Sequence, residues 1–162
     1  MSSEPIVIYE DGTKGVCKYQ LVGTPIGVGA YGVVYKAVLK KTGLSKLSRL
    51  LNFKVNSGEQ LFAVKIFKEC SSDSKENQES IDKEIKLLKE LQHPNIVKCL
   101  DNFWYPNEHH QGSWERWLVM PLCSKGNLMI YVEKVGAFSE DQVRQLLAQV
   151  KDGLKEMHAN KI

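Results

Sequence analysis

The sequence lacks any apolar run long enough to cross a membrane, and its start, MSSEPIVIYEDG, has neither the basic head nor the apolar core of a signal peptide. Cysteine is also scarce. Cys17, Cys70, Cys99 and Cys123 are far apart and form no C-x-x-C pair. This spacing argues against a disulfide framework and against a metal site. We therefore expect reduced thiols and a cytoplasmic or nuclear protein.

A strong excess of one charge is missing as well, because 22 basic residues stand against 19 acidic ones in a chain of 162 residues. This balance gives no support to nucleic-acid binding. The exception is residues 40–54, which contain no acidic residue and five basic ones: Lys40, Lys41, Lys46, Arg49 and Lys54. Two interpretations are open for this segment, a solvated loop with a short helical turn or a docking surface for an acidic partner or a membrane.

What the sequence does have is a glycine pattern. Gly27, Gly29 and Gly32 have G-x-G-x-x-G spacing within IGVGAYGVVYKA at 26–37. In dinucleotide-binding folds such glycines open a helix. Here a β-branched and aromatic segment follows, which predicts a strand. Glycines without Cβ bulk let backbone N–H groups approach phosphates, with positive φ where needed. A glycine-rich hairpin that binds no ligand is the alternative.

Two later elements each carry one charge on an apolar face. Lys65 lies within FAVKIF at 62–67, which predicts a strand. From Ser80 onward, a stripe of apolar residues has helical spacing and consists of Ile81, Ile85, Leu88 and Leu91. Glu84 falls within this stripe, about 60° from Ile81. Because a charge buried alone is costly, we expect Lys65 and Glu84 to pair, with the ammonium facing phosphates. In the alternative, Glu84 sits at the boundary and reaches water.

The glycine hairpin, the lysine strand, the glutamate helix and HPNIV at 93–97 together resemble the N-terminal half of a eukaryotic protein kinase domain of the serine/threonine type. The resemblance implies an α+β fold, with a five-stranded antiparallel sheet and one helix as the N-lobe. A hinge and the first helices of the C-lobe follow. The implied parts are an N-terminal extension at 1–14, an N-lobe at 15–122 with an inserted basic loop near 40–57, and the hinge with a truncated C-lobe at 123–162.

The resemblance also implies an ATP site. Met120-Pro121-Leu122-Cys123 is similar to the family's hinge, where backbone groups bind the adenine edge. Met120 would lie behind the adenine, the amide and carbonyl of Cys123 would bind it, and Asn127 would contact the ribose. Lys65 and Glu84 would form the ATP-positioning ion pair. The full set of implied nucleotide contacts is Ile26, Gly27, Val28, Gly29, Gly32, Val34, Ala63, Lys65, Met120, Cys123 and Asn127.

The last forty residues predict helices, one of them opened by a capping box of Ser139 and Gln142. No H-R-D or D-F-G triplet follows. In the family these motifs supply the catalytic Asp and the Mg²⁺ ligands. We therefore expect ATP with Mg²⁺ as the ligand and no metal ligand within this chain. A complete kinase would transfer the γ-phosphate to a protein Ser/Thr hydroxyl, but this chain alone would be inactive. The second hypothesis is a non-catalytic nucleotide-binding or partner-binding module.

Overall fold

The computed structural model describes residues 5–40, 60–67, 75–107, 110 and 112–162. Within them it has seven strands and three helices. The strands are β1 (Ile6–Ile8), β2 (Lys14–Val16), β3 (Tyr19–Val28), β4 (Gly32–Leu39), β5 (Leu61–Phe67), β6 (Asp101–Pro106) and β7 (Trp114–Pro121). The helices are α1 (Lys75–Glu90), α2 (Leu128–Val135) and α3 (Glu140–Ala159). Apart from Lys40, the basic segment 40–54 lies outside the described residues.

All seven strands form one antiparallel sheet in the order β2-β1-β6-β7-β5-β4-β3. The predicted α+β class is confirmed, but the predicted count of five strands is too low. The two additional strands are β1 and β2, which form a hairpin and extend the sheet beyond β6 through the pair Ile8 and Trp104. This hairpin buries Val7 completely and so adds a residue to the core at this edge of the sheet. A strand of three residues is too short to show a clear pattern in the sequence.

The sheet is rolled, because only Cys17 and Lys18 connect β2 at one edge to β3 at the other. Two linking residues span at most about 11 Å, so the edges lie close together. Asp101 on β6 holds the start of β3 against the sheet: its Oδ2 lies 2.8 Å from Lys18 Nζ and accepts a hydrogen bond from the Tyr19 hydroxyl at 3.1 Å. Burial and the neighbouring Asp101 carboxylate raise the pKa of Tyr19, so this hydroxyl stays protonated and can donate.

Two apolar clusters stabilise the fold. The larger draws on six of the seven strands and the β2–β3 link, and includes Val7, Cys17, Tyr19, Ala37, Phe62, Val64, Phe103, Trp117 and Val119. The smaller joins the other face of β5 and β7 to α1 through Phe67, Ile81, Ile85 and Leu118. Strand alternation explains the division, because Phe62 and Val64 point to one face and Ala63, Lys65 and Phe67 to the other.

Two predicted boundaries differ from the structure. Helix α1 begins at Lys75, more than a turn before Ser80. The segment IVKCLDNFW at 96–104 predicts a strand, but the strand is observed at Asp101–Pro106. Ahead of it, the Leu100 amide still bonds to β7, whereas the Cys99 amide donates to the Leu88 carbonyl at 3.2 Å and closes the segment onto the end of α1. Buried Gly153 of α3 lies against Asn95 and Ile96, where a Cβ would come within 3.4 Å of the Asn95 carbonyl oxygen.

The C-terminal helices have defined starts. Asn127 caps α2, and Ser139 with Gln142 forms the predicted capping box of α3. The helical spacing of Leu146, Leu147, Val150, Leu154 and Met157 predicts an apolar stripe that lacks cover in this chain. It is present in part, because Leu147, Val150 and Leu154 are exposed. Within the described residues, no helix is both long enough and apolar enough to cross a membrane.

Candidate nucleotide site

The three glycines of the motif lie where β3 turns into β4, and the strand predicted after them is β4. The Gly29 amide donates to the Gly32 carbonyl at 2.9 Å, which closes the hairpin. None of the three has a positive φ, so the conformational freedom expected for them is not used here. Their surroundings nevertheless differ. A Cβ on Gly32 would overlap the Ile66 backbone of β5, whereas a Cβ on Gly27 or Gly29 would meet only ordinary contacts at 3.8 and 3.9 Å.

This difference separates a structural glycine from two that the fold does not require. Gly32 must lack a side chain because β4 approaches β5 closely. Packing within the described residues leaves room for a methyl group at Gly27 and Gly29. Packing against the described residues thus gives no reason for glycine at these two positions, and it leaves room for a ligand close to the backbone.

Lys65 on β5 and Glu84 on α1 are in contact. Lys65 Nζ lies 2.6 Å from Oε1 and 2.9 Å from Oε2 of Glu84, a two-oxygen arrangement. Because Ile81 and Ile85 pack α1 onto the sheet, Glu84 is brought over the strand that carries Lys65. The Lys65 ammonium also lies 4.5 Å from the ring centroid of Phe67, the next residue on the same face of β5.

The pair is less buried than the sequence suggested. The Lys65 side chain is 20% exposed and the Glu84 side chain 40% exposed. Water therefore solvates part of the carboxylate, so Glu84 both pairs with Lys65 and reaches water. The penalty for removing one partner is then nearer to about 1 kcal/mol, as for partly solvated pairs, than to the roughly 3–5 kcal/mol of a buried pair.

The strand register brings further predicted residues to the same face as Lys65. Val34 on β4 lies directly opposite Lys65, and Gly27 lies opposite Val34. Ala63 precedes Lys65 by two residues and pairs with Met120 of β7. Residues directly opposite in antiparallel strands share a face, so Val34, Ala63, Lys65 and Met120 line one surface beside α1. Ile26 and Val28, at the end of β3, carry exposed apolar side chains.

Beyond β7, the predicted contacts have local roles as well. The Cys123 carbonyl accepts a hydrogen bond from the Gly126 amide at 3.1 Å, and Cys123 borders a cavity of about 870 Å³ that also touches His93 and Leu128. Asn127 Oδ1 accepts from the Ile130 amide at 2.9 Å as the cap of α2. Its Nδ2 group would then be available to donate to a ribose.

Sequence reasoning missed two residues near this surface. Phe67 beneath the Lys65 ammonium could have been found from alternation, since it follows Ala63 and Lys65 at steps of two. Arg116 is a buried charge on β7, and its partners come from distant segments. In the sequence, only its place in the run WERWLVMP indicated that it could be buried. In the described parts of the chain, no cluster of three or more His, Cys, Asp or Glu side chains could hold a metal ion.

Comparisons with known proteins agree with this arrangement. A family model described as "Protein kinase domain" matches residues 20–162. Calcium-dependent protein kinase 5 of Plasmodium berghei (strain Anka) is 29% identical over 145 residues, which cover 89% of this chain and 21% of that protein. DNA damage response protein kinase DUN1 of Saccharomyces cerevisiae is 30% identical over 142 residues, covering 88% of this chain and 24% of that protein.

A third relative, serine/threonine-protein kinase ATG1c of Arabidopsis thaliana, is 29% identical over 144 residues, covering 88% of this chain and 16% of that protein. The chain thus spans less than a quarter of the length of each of these relatives. Since the family model covers most of its residues, the chain belongs to the protein kinase domain family.

Proposed function

We propose that this chain is the ATP-binding portion of a protein serine/threonine kinase, and that the nucleotide lies between the glycine hairpin and the surface formed by Val34, Ala63, Lys65 and Met120. The observation that carries the proposal is the contact between Lys65 and Glu84 beside a hairpin whose Gly27 and Gly29 the fold itself does not require. The strand register supports it, because Gly27 lies opposite Val34 and Val34 opposite Lys65, so the hairpin and the lysine share one face.

Each group has a chemical role in this proposal. The Lys65 ammonium binds the phosphates as a point charge, and Glu84 holds that ammonium in place. Amides of the hairpin approach the phosphates where the glycines leave room. At the hinge, the Cys123 backbone binds adenine, backed by Met120, and Asn127 Nδ2 contacts the ribose.

Phosphoryl transfer needs further groups. In the complete kinase, the γ-phosphate goes to a Ser or Thr hydroxyl of a protein substrate, with a base that accepts the hydroxyl proton and Mg²⁺ that neutralises the phosphates. The chain supplies neither an H-R-D nor a D-F-G triplet, so its 162 residues bind the nucleotide without transferring phosphate. A cytoplasmic or nuclear location goes with this proposal, because Cys17, Cys99 and Cys123 are free thiols. We further propose that no nucleic acid binds and that the segment 40–54 docks a partner.

Calorimetric titration of the chain with Mg-ATP tests the site. We expect Lys65→Met to weaken binding about tenfold, the loss of one charge-assisted contact, because hinge contacts through the backbone remain. Lys83→Met is the matched control, since Lys83 is an exposed lysine of α1 and loses the same charge. A wild-type chain that is folded by circular dichroism but binds no Mg-ATP overturns the proposal. Equal affinities for Lys65→Met and Lys83→Met overturn the role of Lys65.

A double-mutant cycle tests the pair itself. Glu84→Gln keeps the shape and removes the charge, so it should weaken binding in the same direction as Lys65→Met. If Glu84 acts by holding Lys65, the double variant is little worse than either single one. Strictly additive losses mean that the two side chains act independently.

The alternative, a non-catalytic nucleotide-binding or partner-binding module, rests on the lack of both catalytic triplets in these residues. Sequencing the transcript across the codon for Ile162 separates the two. In-frame H-R-D and D-F-G codons support the kinase, and a stop codon at that point supports the module.

A further inference from the structure

Glu10 joins two elements that are distant in the sequence. It lies in the turn between β1 and β2, and each of its carboxylate oxygens has a different partner. Oε1 accepts a hydrogen bond from Arg116 Nη2 of β7 at 2.7 Å, and Oε2 contacts Lys89 Nζ in the last turn of α1. The bond from Lys89, together with the charges of Lys89 and Arg116, lowers the pKa of Glu10, so the carboxylate is ionised at neutral pH.

Arg116 fixes the position of Glu10. Its side chain is only 4% exposed, lies 4.9 Å from the ring centroid of Trp104, and donates from Nη2 to Asn102 Oδ1 at 2.6 Å. A guanidinium this deeply buried needs a negative partner, and the structure provides Glu10. The Trp104 ring and the Asn102 amide oxygen hold Arg116 in place, so the Glu10 carboxylate bound to Arg116 is held as well. Lys89 of α1 therefore meets an anchored charge rather than a mobile surface side chain.

This anchor lies on the helix that carries Glu84. Lys89 lies five positions after Glu84, which is about 7.5 Å along the helix axis. The apolar contacts of Ile81 and Ile85 press α1 onto the sheet, but such contacts are non-directional. Among the described residues, two ion pairs join α1 to β5 and to the β1–β2 turn, Lys65–Glu84 and Glu10–Lys89. Both are directional, so they constrain the rotation of α1 and its position along the axis.

We propose that the β1–β2 hairpin, acting through Glu10 and Lys89, is a positioning element that sets α1 where Glu84 meets Lys65. The proposal rests on the nucleotide site proposed above, because that site is what a correctly set Lys65 serves. Glu10 and Lys89 do not touch the nucleotide in this scheme; they act through Glu84. Residues before the glycine hairpin would thus help to position Lys65, the residue that binds the phosphates.

Lys89→Gln is the sharpest test, because it breaks the link to the helix while leaving Glu10 on Arg116. Lys86→Gln is the matched control, since Lys86 is an exposed lysine of α1 whose ion-pair partner among the described residues is Glu90 of the same helix, at 3.9 Å. Lys89→Arg keeps the charge and the reach. Two quantities are measured on the full chain: hydrogen exchange of the α1 amides by mass spectrometry, and affinity for Mg-ATP by calorimetry.

We expect Lys89→Gln to speed exchange in α1 and to weaken Mg-ATP binding about two- to fivefold, the range of an exposed ion pair. Lys86→Gln and Lys89→Arg should change neither. In a Lys65→Met background, Lys89→Gln should have no further effect on affinity if it acts through Lys65. A purely structural role would lower the melting temperature in both backgrounds and leave affinity unchanged.

The outcomes separate this proposal from the nucleotide site. Equal α1 exchange and equal affinity for Lys89→Gln and Lys86→Gln overturn the positioning role while the nucleotide site stands. If the wild-type chain binds no Mg-ATP, the nucleotide site fails, and α1 exchange alone then decides whether the hairpin holds the helix.

Discussion

Replacing Gly32 with alanine puts a methyl group where the sheet has no space. The new Cβ would lie 2.4 Å from the Ile66 carbonyl oxygen and 3.2 Å from Phe67 Cα. Real Cβ contacts essentially never fall below 3.0 Å, so the strands must separate by at least 0.6 Å. The obstructing atoms belong to the backbone of β5, the strand between β4 and β7, and cannot rotate away as a side chain could. The pairing of β4 with β5 must therefore be distorted at the pair Gly32 and Phe67.

The other two glycines of the motif are internal controls with the opposite expected sign. A Cβ at Gly27 would lie 3.8 Å from Val34 Cβ, and one at Gly29 would lie 3.9 Å from the Gly32 carbonyl oxygen. Because neither has a positive φ, alanine reduces the entropy of the unfolded chain without strain, a gain of about 0.4–1 kcal/mol. Overpacking at Gly32 costs about 1–3 kcal/mol. The unfolded-state gain is common to all three substitutions, so the free energies of unfolding should differ by the overpacking cost alone, roughly 1–3 kcal/mol.

Urea unfolding followed by tryptophan fluorescence measures this difference, with buried Trp117 as a reporter of the core. We expect a lower midpoint for Gly32→Ala, and a midpoint equal to or above wild type for Gly27→Ala and Gly29→Ala. The last two should instead lose affinity for Mg-ATP, because their methyl groups occupy space that the phosphates need. Equal midpoints for Gly32→Ala and Gly29→Ala would refute the assignment of Gly32 as the structural glycine.

Three further predictions concern charge, surface and thiols. Because the folded-state pKa of Glu10 lies below its ordinary 4.5, the stability that it contributes is present above that pH and is lost as the pH falls through the lowered pKa. The stability difference between wild type and Glu10→Gln should thus shrink as the pH is lowered below 4.5, and a pH-independent difference in urea midpoints would contradict this. The chain should associate at tens of micromolar (roughly the range where exposed apolar patches matter), because Leu147 is 61% exposed on an uncovered stripe. Leu147→Lys should reduce this association. A sharp wild-type monomer peak in size-exclusion chromatography would count against the prediction. Iodoacetamide should modify exposed Cys123 faster than Cys17, because burial raises the pKa of the Cys17 thiol; comparable rates by peptide mass spectrometry would show that Cys17 is accessible.

Several features of the chain could be predicted from the sequence because short-range periodicity encodes them. Alternation in FAVKIF set Lys65 apart from its apolar neighbours, and the helical stripe assigned Glu84 to the same side as Ile81. Their contact followed from the cost of two isolated charges, and the structure contains it. The capping box at Ser139 is likewise local, since the two bonds that define it join residues three apart.

Only the tertiary structure decided which distant surfaces meet. Glu10 contacts Lys89 across 79 residues and Arg116 across 106, and no period in the sequence reaches that far. The rolled sheet makes β1 a neighbour of β6, which is why residues before position 15 belong to the sheet. Tertiary packing also distinguishes Gly32, which lies against the backbone of β5, from Gly27 and Gly29. The motif alone treats the three glycines as equivalent. The physical reason is that periodicity specifies which face a side chain occupies, whereas long-range packing determines what lies against that face and how much water remains there.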